Sequence, residues 1–157
     1  YTRRTGMPHV IIRPSAVYGP LDVEDRVISK FLTTAMRGGE IRVNGADEEL
    51  DFTYVGDCAI GIAQASVSTN TNNKIYNITR GSSHTLKEAA ELAISIAGQG
   101  TIKINDRDQA FPQRGQLSIT QAHHDFGYHP IVNIETGFKL YYEWLKDSLY
   151  GTKETIQ

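Results

Sequence analysis

The sequence has one cysteine, a net charge close to zero and no long apolar run, and each shortage excludes a class of protein. The single cysteine, Cys58, excludes a disulfide within the chain and favours a reducing, cytoplasmic setting. A formal net charge of -2 gives no electrostatic basis for binding nucleic acid or an anionic membrane. No segment approaches the roughly 20 apolar residues of a membrane-spanning helix. We therefore expect neither nucleic acid nor a membrane as a partner.

Histidine and serine occur without the neighbours that a metal site or a nucleophilic site requires. His123 and His124 are adjacent on a predicted helix, so their side chains point apart and do not favour joint ligation of one ion. Ser15 has no histidine near it in the sequence and no nucleophile-elbow pattern around it. The sequence therefore predicts no metal ion and no serine nucleophile.

The segments that are present alternate between strand-like and helix-like patterns, which indicates the α/β class. The chain has 157 residues, of which 39% are apolar and 22% charged, and it suits one globular domain with a sizeable core. The sequence predicts the last turn of a helix over residues 1–6 and then strands over 9–14, 41–43, 50–55, 74–79 and 101–104. It predicts helices over 24–37, 58–68, 85–97, 118–127 and 134–149.

Polar residues mark several of these helix starts. Thr85-Leu86-Lys87-Glu88 and Ser118-Ile119-Thr120-Gln121 both have the spacing of a capping box, in which the first and fourth residues satisfy each other's backbone amides. Asp57 and Asn133 each precede an apolar helical pattern, and we expect their side chains to cap the helices that follow. We expect Gly127 to end the helix that Ser118 opens.

The segment Arg13-Pro14-Ser15-Ala16-Val17-Tyr18-Gly19-Pro20 follows the short apolar run Val10-Ile11-Ile12. The run is β-branched and bounded by prolines, which is typical of a buried strand of a parallel sheet. Ligands of open α/β sheets bind outside the carboxyl ends of such strands. From the local pattern alone, two interpretations stay open: a ligand-binding edge, or an ordinary exit from strand to loop.

This segment resembles the Arg-x-x-Asn-x-Tyr-Gly-Pro segment of the extended short-chain dehydrogenase/reductase family, the NAD(P)-dependent nucleotide-sugar epimerases and dehydratases. Similarity continues in the family's order from Gly45 to Asp57 and from Arg114 to Pro130. The resemblance implies the carboxyl-terminal portion of an extended Rossmann-type fold, with the last Rossmann strand and a small α/β substrate-binding lobe. The implied division is a Rossmann remnant at 1–20, the lobe at 21–150 and a tail at 151–157.

The candidate site residues come from this resemblance. Pro14 and Ser15 match family positions beside the nicotinamide of the cofactor. Arg26 matches a polar position near the sugar nucleotide, although a solvated arginine on the first turn of a helix fits the sequence equally well. The remaining substrate candidates match the nucleobase pocket and the pyrophosphate site, and they are Arg42, Asn44 and Arg114.

Arg114 has the strongest chemical basis of these candidates, because a guanidinium group forms two parallel hydrogen bonds to a pyrophosphate. Arg107, in the same polar segment over 105–117, is its local competitor, and a solvated loop arginine is the alternative. Two departures weaken the match to the family. Ala16 stands where the family has an asparagine that contacts the substrate, and Leu50 stands where it has an arginine that contacts the diphosphate.

The resemblance implies the substrate-binding part of an NAD(P)-dependent nucleotide-sugar epimerase or dehydratase, with a nucleotide-sugar-like ligand. It places the family's glycine-rich cofactor loop and its catalytic Tyr-x-x-x-Lys pair before residue 1, so we expect NAD or NADP to bind the intact parent and not this chain, which alone would be inactive. Hydroxy-ketone reductases of the same family and a non-catalytic binding module are the alternatives. Because the sheet expected to receive Val10-Ile11-Ile12 would also precede residue 1, we expect the chain to self-associate.

Overall fold

Helices and strands alternate through residues 2–22, 25–110 and 112–150, which a computed structural model describes, without the side chains of residues 149 and 150. The helices are α1 (Thr2–Thr5), α2 (Val27–Met36), α3 (Val55–Val67), α4 (Leu86–Ala97), α5 (Thr120–Phe126) and α6 (Ile134–Tyr150), with a 3-10 turn at Thr69–Thr71. The strands are β1 (Val10–Pro14), β2 (Val17–Tyr18), β3 (Glu40–Asn44), β4 (Glu49–Leu50), β5 (Thr53–Tyr54), β6 (Lys74–Ile78), β7 (His84–Thr85) and β8 (Thr101–Asn105). The α/β class is confirmed.

Several predicted ranges fall partly or wholly outside the described residues. The helix predicted from residue 24 is described from Val27 onward, with Arg26 in an extended conformation at its N-cap position. The predicted tail, 151–157, is outside the described residues.

The strands pair two by two, and three of the four pairs are parallel. β1 pairs with β6, β2 with β5 and β3 with β8 in parallel, whereas β4 and β7 are antiparallel. The pairing of β1 corrects one expectation, because its partner β6 lies within this chain and not before residue 1. Ile11 lies opposite Ile75 in this pair, and each side chain is 43% exposed. One face of the β1–β6 pair is therefore open.

Buried side chains form two clusters. The first cluster packs α2, α4 and α6 against β3, and its largest members include Phe31, Phe138 and Tyr141. The second cluster packs α3 and α5 against β6, with Tyr76 and Tyr128 at its centre. Residues of β1 pack against the second cluster, which therefore takes side chains from both sides of the domain boundary predicted at residue 20.

The single strand predicted over 50–55 is two short strands with a break at Asp51 and Phe52. The break lets the chain change partners, because β4 pairs with β7 and β5 pairs with β2. Helix α3 then begins at Val55, three residues earlier than predicted. Asp57 consequently lies inside the first turn and is not the N-cap, which corrects its predicted role. Its buried Oδ2 accepts a hydrogen bond from the Val132 amide at 2.8 Å.

The two predicted capping boxes have different outcomes. The Thr85 box is confirmed: the Glu88 amide donates to Thr85 Oγ1 at 3.1 Å, and the Thr85 amide donates to Glu88 Oε2 at 2.9 Å. The Ser118 box is wrong, because the N-cap of α5 is the next residue, Ile119, whose side chain caps no backbone amide.

The other predicted helix ends agree with the structure. The Asn133 cap is confirmed by the Thr136 amide, which donates to Asn133 Oδ1 at 2.8 Å. Gly127 ends α5 in the left-handed conformation, with φ of 73°.

Candidate functional site

A cavity of about 250 Å³ opens directly after the carboxyl end of β1. Its lining comes from the segment that follows β1, the start of α2, the β4–β5 region and the loop before α5. The cavity is lined by Ala16, Val17, Tyr18, Asp22, Asp25, Arg26, Val27, Ile28, Leu50, Phe52 and Arg114. Two of the predicted substrate residues, Arg26 and Arg114, are thus brought together from positions 88 residues apart in the sequence.

The charged side chains of this cavity are mostly paired with one another or with a neighbour. Arg26 Nε lies 3.4 Å from Asp22 Oδ1, and the Asp22 side chain is only 10% exposed. Asp25 Oδ1 pairs with Lys30 Nζ at 3.1 Å. Within the described part of the chain, no acidic side chain forms an ion pair with Arg114. Arg114 is therefore available to an anionic ligand.

The rest of the cavity wall is apolar and rigid. Leu50 and Phe52 come from the two sides of the break between β4 and β5. The buried Tyr18 ring stands edge-on to the rings of Phe52, Tyr54 and Phe138 at centroid distances of 5.4 to 6.5 Å. Buried aromatic rings in such edge-to-face packing hold one another in place.

Ala16 occupies an unfavourable backbone conformation in this wall. Its φ is +38°, in the left-handed region that non-glycine residues adopt at a cost of roughly 1–2 kcal/mol. Asparagine enters this region more readily than alanine does. The conformation therefore suits the asparagine of the family's segment better than the residue present here.

The loop that carries Arg114 has no helix or strand over residues 112–119, and side chains tie it to the rest of the chain. The Leu117 amide donates to Asp51 Oδ2 at 3.1 Å, and Gln116 Nε2 donates to the Gly81 carbonyl at 2.6 Å. Asn77 Nδ2 donates to the Ser118 carbonyl at 3.0 Å. The position of Arg114 thus depends on Asp51 in the break between β4 and β5, on β6 and on the turn that follows β6.

Arg42 and Asn44 lie on β3, outside this cavity. The Arg42 side chain is 72% exposed and pairs with Glu40 at 3.4 Å, and Asn44 Oδ1 accepts from Asn105 Nδ2 at 2.9 Å. The structure does not bring them together with Arg26 and Arg114, and their assignment to a nucleobase pocket stays a prediction. Arg107, the competitor of Arg114, forms an ion pair with Glu48 beside the turn after β3.

Pro14, the last residue of β1, and Ser15, the next residue, are the predicted cofactor residues, and they directly precede the segment that lines the cavity. They precede Ala16 and do not line the cavity itself. They lie at the carboxyl edge of the parallel β1–β6 pair, which is the edge where open α/β sheets bind ligands.

One spacing of the Tyr-x-x-x-Lys kind does occur in the chain, at Tyr142 and Lys146. Both residues lie on α6, one turn apart, and Tyr142 lines a depression together with Leu92 and Glu135. Neither residue lines the cavity after β1, so we assign the pair no part in the candidate site.

Other clusters of polar groups have structural explanations. Asp125 accepts from Tyr76 Oη at 2.7 Å and pairs with Lys74 at 2.9 Å, which ties α5 to β6. Burial raises the pKa of Tyr76 to about 12, with the Asp125 carboxylate adding to the effect. A depression of about 580 Å³ between Thr2 and Asn73 carries no predicted site residue. In the residues described, no group of three or more potential metal ligands is present, and none of the helices is long and apolar enough to cross a membrane.

Sequence reasoning missed Asp22, which lines the cavity, and Asp51, which lies between two residues of its wall. Asp22 could have been found from its spacing of four residues before Arg26, although these residues precede the described start of α2. Asp51 could have been found as a carboxylate within an apolar strand pattern, since such a group must find partners when it is buried. The structure buries Asp51 completely.

These features define an α/β protein with a ligand-sized cavity at the carboxyl end of a parallel strand and an arginine available for an anion. The model of the NAD dependent epimerase/dehydratase family matches residues 1–79, just over half of the chain, and the chain belongs to this family. The resemblance inferred from the sequence is thereby confirmed.

Individual relatives are longer than this chain. UDP-glucuronic acid decarboxylase 1 of Xenopus tropicalis is 28% identical over 141 residues, which cover 87% of this chain and 33% of that protein. UDP-glucose 4-epimerase of Thermotoga maritima, solved with UDP-glucose, superposes with a TM-score of 0.85 at 25% identity, covering 94% of this chain and 49% of that one. The chain therefore spans between a third and half of these relatives.

A third relative was solved with both a nucleotide sugar and a cofactor. UDP-glucuronic acid 4-epimerase of Bacillus cereus, in complex with UDP-glucuronic acid and NAD, has a TM-score of 0.87 at 24% identity, covering 96% of this chain and 48% of that one. At this identity the likeness shows the fold alone.

Proposed function

We propose that this chain forms the substrate-binding part of an NAD(P)-dependent nucleotide-sugar epimerase or dehydratase, and that its cavity holds the diphosphate of a nucleotide sugar. The observation that carries the proposal is Arg114, which lines the cavity and has no ion-pair partner among the described residues. A diphosphate is the ligand group that a guanidinium fork binds best. The family, and the nucleotide sugars named in the structures of two relatives, support the same ligand class.

The apolar wall supports a second candidate of the same family. Leu50 cannot form a hydrogen bond to a phosphate, and Ala16 offers no polar side chain to a sugar. A cavity with one available arginine and an otherwise apolar wall also suits a less charged substrate, as an NAD(P)H-dependent hydroxy-ketone reductase requires. A binding module without catalysis is the third possibility.

The residues present fit one side of a dinucleotide site. Pro14 and Ser15 stand at the carboxyl edge of the β1–β6 pair, where proline presents no backbone donor and has a fixed φ that shapes a wall. No glycines in the sequence have the spacing of the family's phosphate-binding loop. When bound in the whole protein, the nicotinamide would take and return a hydride. We propose that this chain supplies the wall and the substrate cavity and is inactive alone.

A cytoplasmic location also stays a prediction, based on the single cysteine.

The test is a titration of UDP and dTDP into the chain, followed by amide chemical shifts. We expect weak binding, with a dissociation constant on the order of millimolar, because Leu50 cannot form the phosphate contact that an arginine makes at this position in the family. Arg114→Ala should weaken binding roughly tenfold, since a charge-assisted hydrogen bond contributes about 1.5–3 kcal/mol. The fold should be unaffected, because Arg114 is exposed in a loop.

Arg37→Ala is the matched control, because Arg37 is an exposed arginine beyond the other end of α2 and does not line this cavity. It should leave binding unchanged. Arg42→Ala separately tests the predicted nucleobase contact. Equal affinities of wild type and Arg114→Ala would remove Arg114 from the site. Binding of a neutral hydroxy-ketone in the cavity without any response to UDP would favour the reductase.

A further inference from the structure

Asp51 lies between two residues of the cavity wall but does not itself reach the cavity. Its neighbours Leu50 and Phe52 both line the cavity, and Asp51 points away from it and is completely buried. Burying a carboxylate is unfavourable unless hydrogen bonds satisfy its oxygens. The group therefore requires a structural explanation.

The hydrogen bonds of Asp51 join three segments of the chain. The Gly81 amide lies 3.2 Å from both carboxylate oxygens, and the Leu117 amide donates to Oδ2 at 3.1 Å. One carboxylate thus connects the break between β4 and β5, the turn after β6, and the loop that carries Arg114. Burial raises the pKa of the Asp51 carboxyl, and the hydrogen bond from the Leu117 amide opposes that shift.

The loop has few other attachments. In the described chain, no backbone-to-backbone hydrogen bond holds residues 112–118. The ties made by Gln116 and Asn77 are exposed, whereas the Leu117–Asp51 bond is partly buried and has a carboxylate acceptor. Hydrogen bonds to an ionised group are about twice as strong as neutral ones. Leu117 is three residues from Arg114, within roughly 10 Å along even a fully extended chain.

We propose that Asp51 is a positioning residue, which fixes the 112–118 loop so that the Arg114 guanidinium stays over the cavity. The identity of the ligand in this inference rests on the proposed function, whereas the attachment of the loop to Asp51 does not. In this arrangement the carboxylate binds no substrate. It fixes the position of the guanidinium group that would bind the diphosphate. It also connects the Arg114 loop to the break between β4 and β5, where Leu50 and Phe52 lie.

The experiment compares Asp51→Asn with Asp57→Asn. Asp57 is the matched control, because it is also a buried carboxylate that accepts a backbone amide, from Val132 on the segment before α6. Asp51→Asn should speed exchange of the Leu117 amide at least roughly tenfold, whereas Asp57→Asn should speed exchange at Val132 and leave the Leu117 amide unchanged. This part of the experiment needs no ligand.

The second part measures UDP binding. Asp51→Asn should weaken binding by about as much as Arg114→Ala, and the double variant should be no weaker than Arg114→Ala alone, because both changes remove the same contact. Asp57→Asn should bind UDP as wild type does. If wild type does not bind UDP, the proposed function fails, while the exchange measurement still decides whether Asp51 holds the loop.

A folded Asp51→Asn variant with unchanged exchange of the Leu117 amide would overturn the inference. Fully additive losses in the double variant would also overturn it. If Asp51→Asn does not fold, Leu117→Pro decides the question, because it removes the donor and leaves the carboxylate and its bonds to Gly81 in place. Weaker UDP binding and lower backbone order parameters at residues 115, 116 and 118 in Leu117→Pro would support the role of Asp51, and wild-type behaviour would contradict it.

Discussion

The first cluster and the second cluster are built from similar elements but differ in how completely the described chain covers them. In the first cluster, α2, α4 and α6 pack around β3, and the Tyr18 ring contacts three other aromatic rings edge-on. The second cluster has helices on one side of the β1–β6 pair, and Ile11 and Ile75 remain exposed on the other side. A core that is packed on all sides resists a change of volume, whereas a core with an open face can relax.

This difference bears on the candidate site, because the cavity lies against the first cluster. Tyr18 and Phe52 belong both to that cluster and to the cavity wall. The wall is therefore as rigid as the core behind it, which is what a preorganised ligand site requires. Pro14 and Ser15, in contrast, follow β1 at the edge of the second cluster.

The largest effect should come from adding a methyl group to a glycine in each cluster. A Cβ on Gly137 of α6 would meet Tyr18 Oη and approach its Cζ to 2.9 Å, and a Cβ on Gly61 of α3 would lie 2.6 Å from Ile78 Cγ2 and Tyr128 Cε2. Gly137→Ala should lower the free energy of unfolding by about 3 kcal/mol and Gly61→Ala by about 1 kcal/mol, because only the second cluster can shift. Urea denaturation measures both.

The helical preference of alanine over glycine enters both variants equally and does not affect their difference. The control is Gly137→Ala combined with Tyr18→Phe, which removes the hydroxyl oxygen and should recover part of the loss. A Gly61→Ala variant as destabilised as Gly137→Ala would mean that the second cluster is as rigid as the first.

An intermediate effect should separate the helix starts of the two clusters. Thr85 caps α4 of the first cluster, whereas Ser118 of the second lies before the N-cap residue Ile119 and makes only a long contact, 3.4 Å, with the Thr120 amide. Thr85→Ala should cost about 1 kcal/mol of unfolding free energy. Ser118→Ala should stay within about 0.5 kcal/mol, as is usual for an exposed position. Thr85→Ser keeps the hydroxyl and should restore most of the stability in thermal unfolding; equal losses from Thr85→Ala and Ser118→Ala would contradict the assignment.

The smallest effect on stability should come from the open face of the second cluster. Ile11→Thr combined with Ile75→Thr should change the unfolding free energy by about 0.5 kcal/mol or less for each substitution, because both side chains are partly exposed. The double variant should nevertheless reduce self-association, since paired apolar side chains on an open sheet face favour contact with another surface. Sedimentation velocity over a range of concentrations measures this.

Ile104→Thr is the control, because Ile104 is 53% exposed on β8, outside the β1–β6 pair. A wild-type chain that stays monomeric at high concentration would refute the predicted self-association. An equal response to Ile104→Thr would show that general surface hydrophobicity, and not this face, is responsible.

Local signals in the sequence were sufficient for much of the fold. The α/β class, the Thr85 capping box, the Asn133 cap and the end of α5 at Gly127 were predicted correctly, because each depends on residues within a few positions of one another. The family was also evident from short motifs in the right order. Arg26 and Arg114 were nominated by resemblance, and the structure places both in one cavity.

Only the tertiary structure decided the features that depend on distant partners. Asp57 looks like an N-cap in the sequence, but its carboxylate accepts from Val132, 75 residues away, and the helix begins before it. Asp51 looks like an ordinary strand residue, yet its partners Gly81 and Leu117 lie 30 and 66 residues away. A buried carboxylate takes whichever amides the fold brings to it, and the identity of those amides is set by chain crossings that no local pattern records.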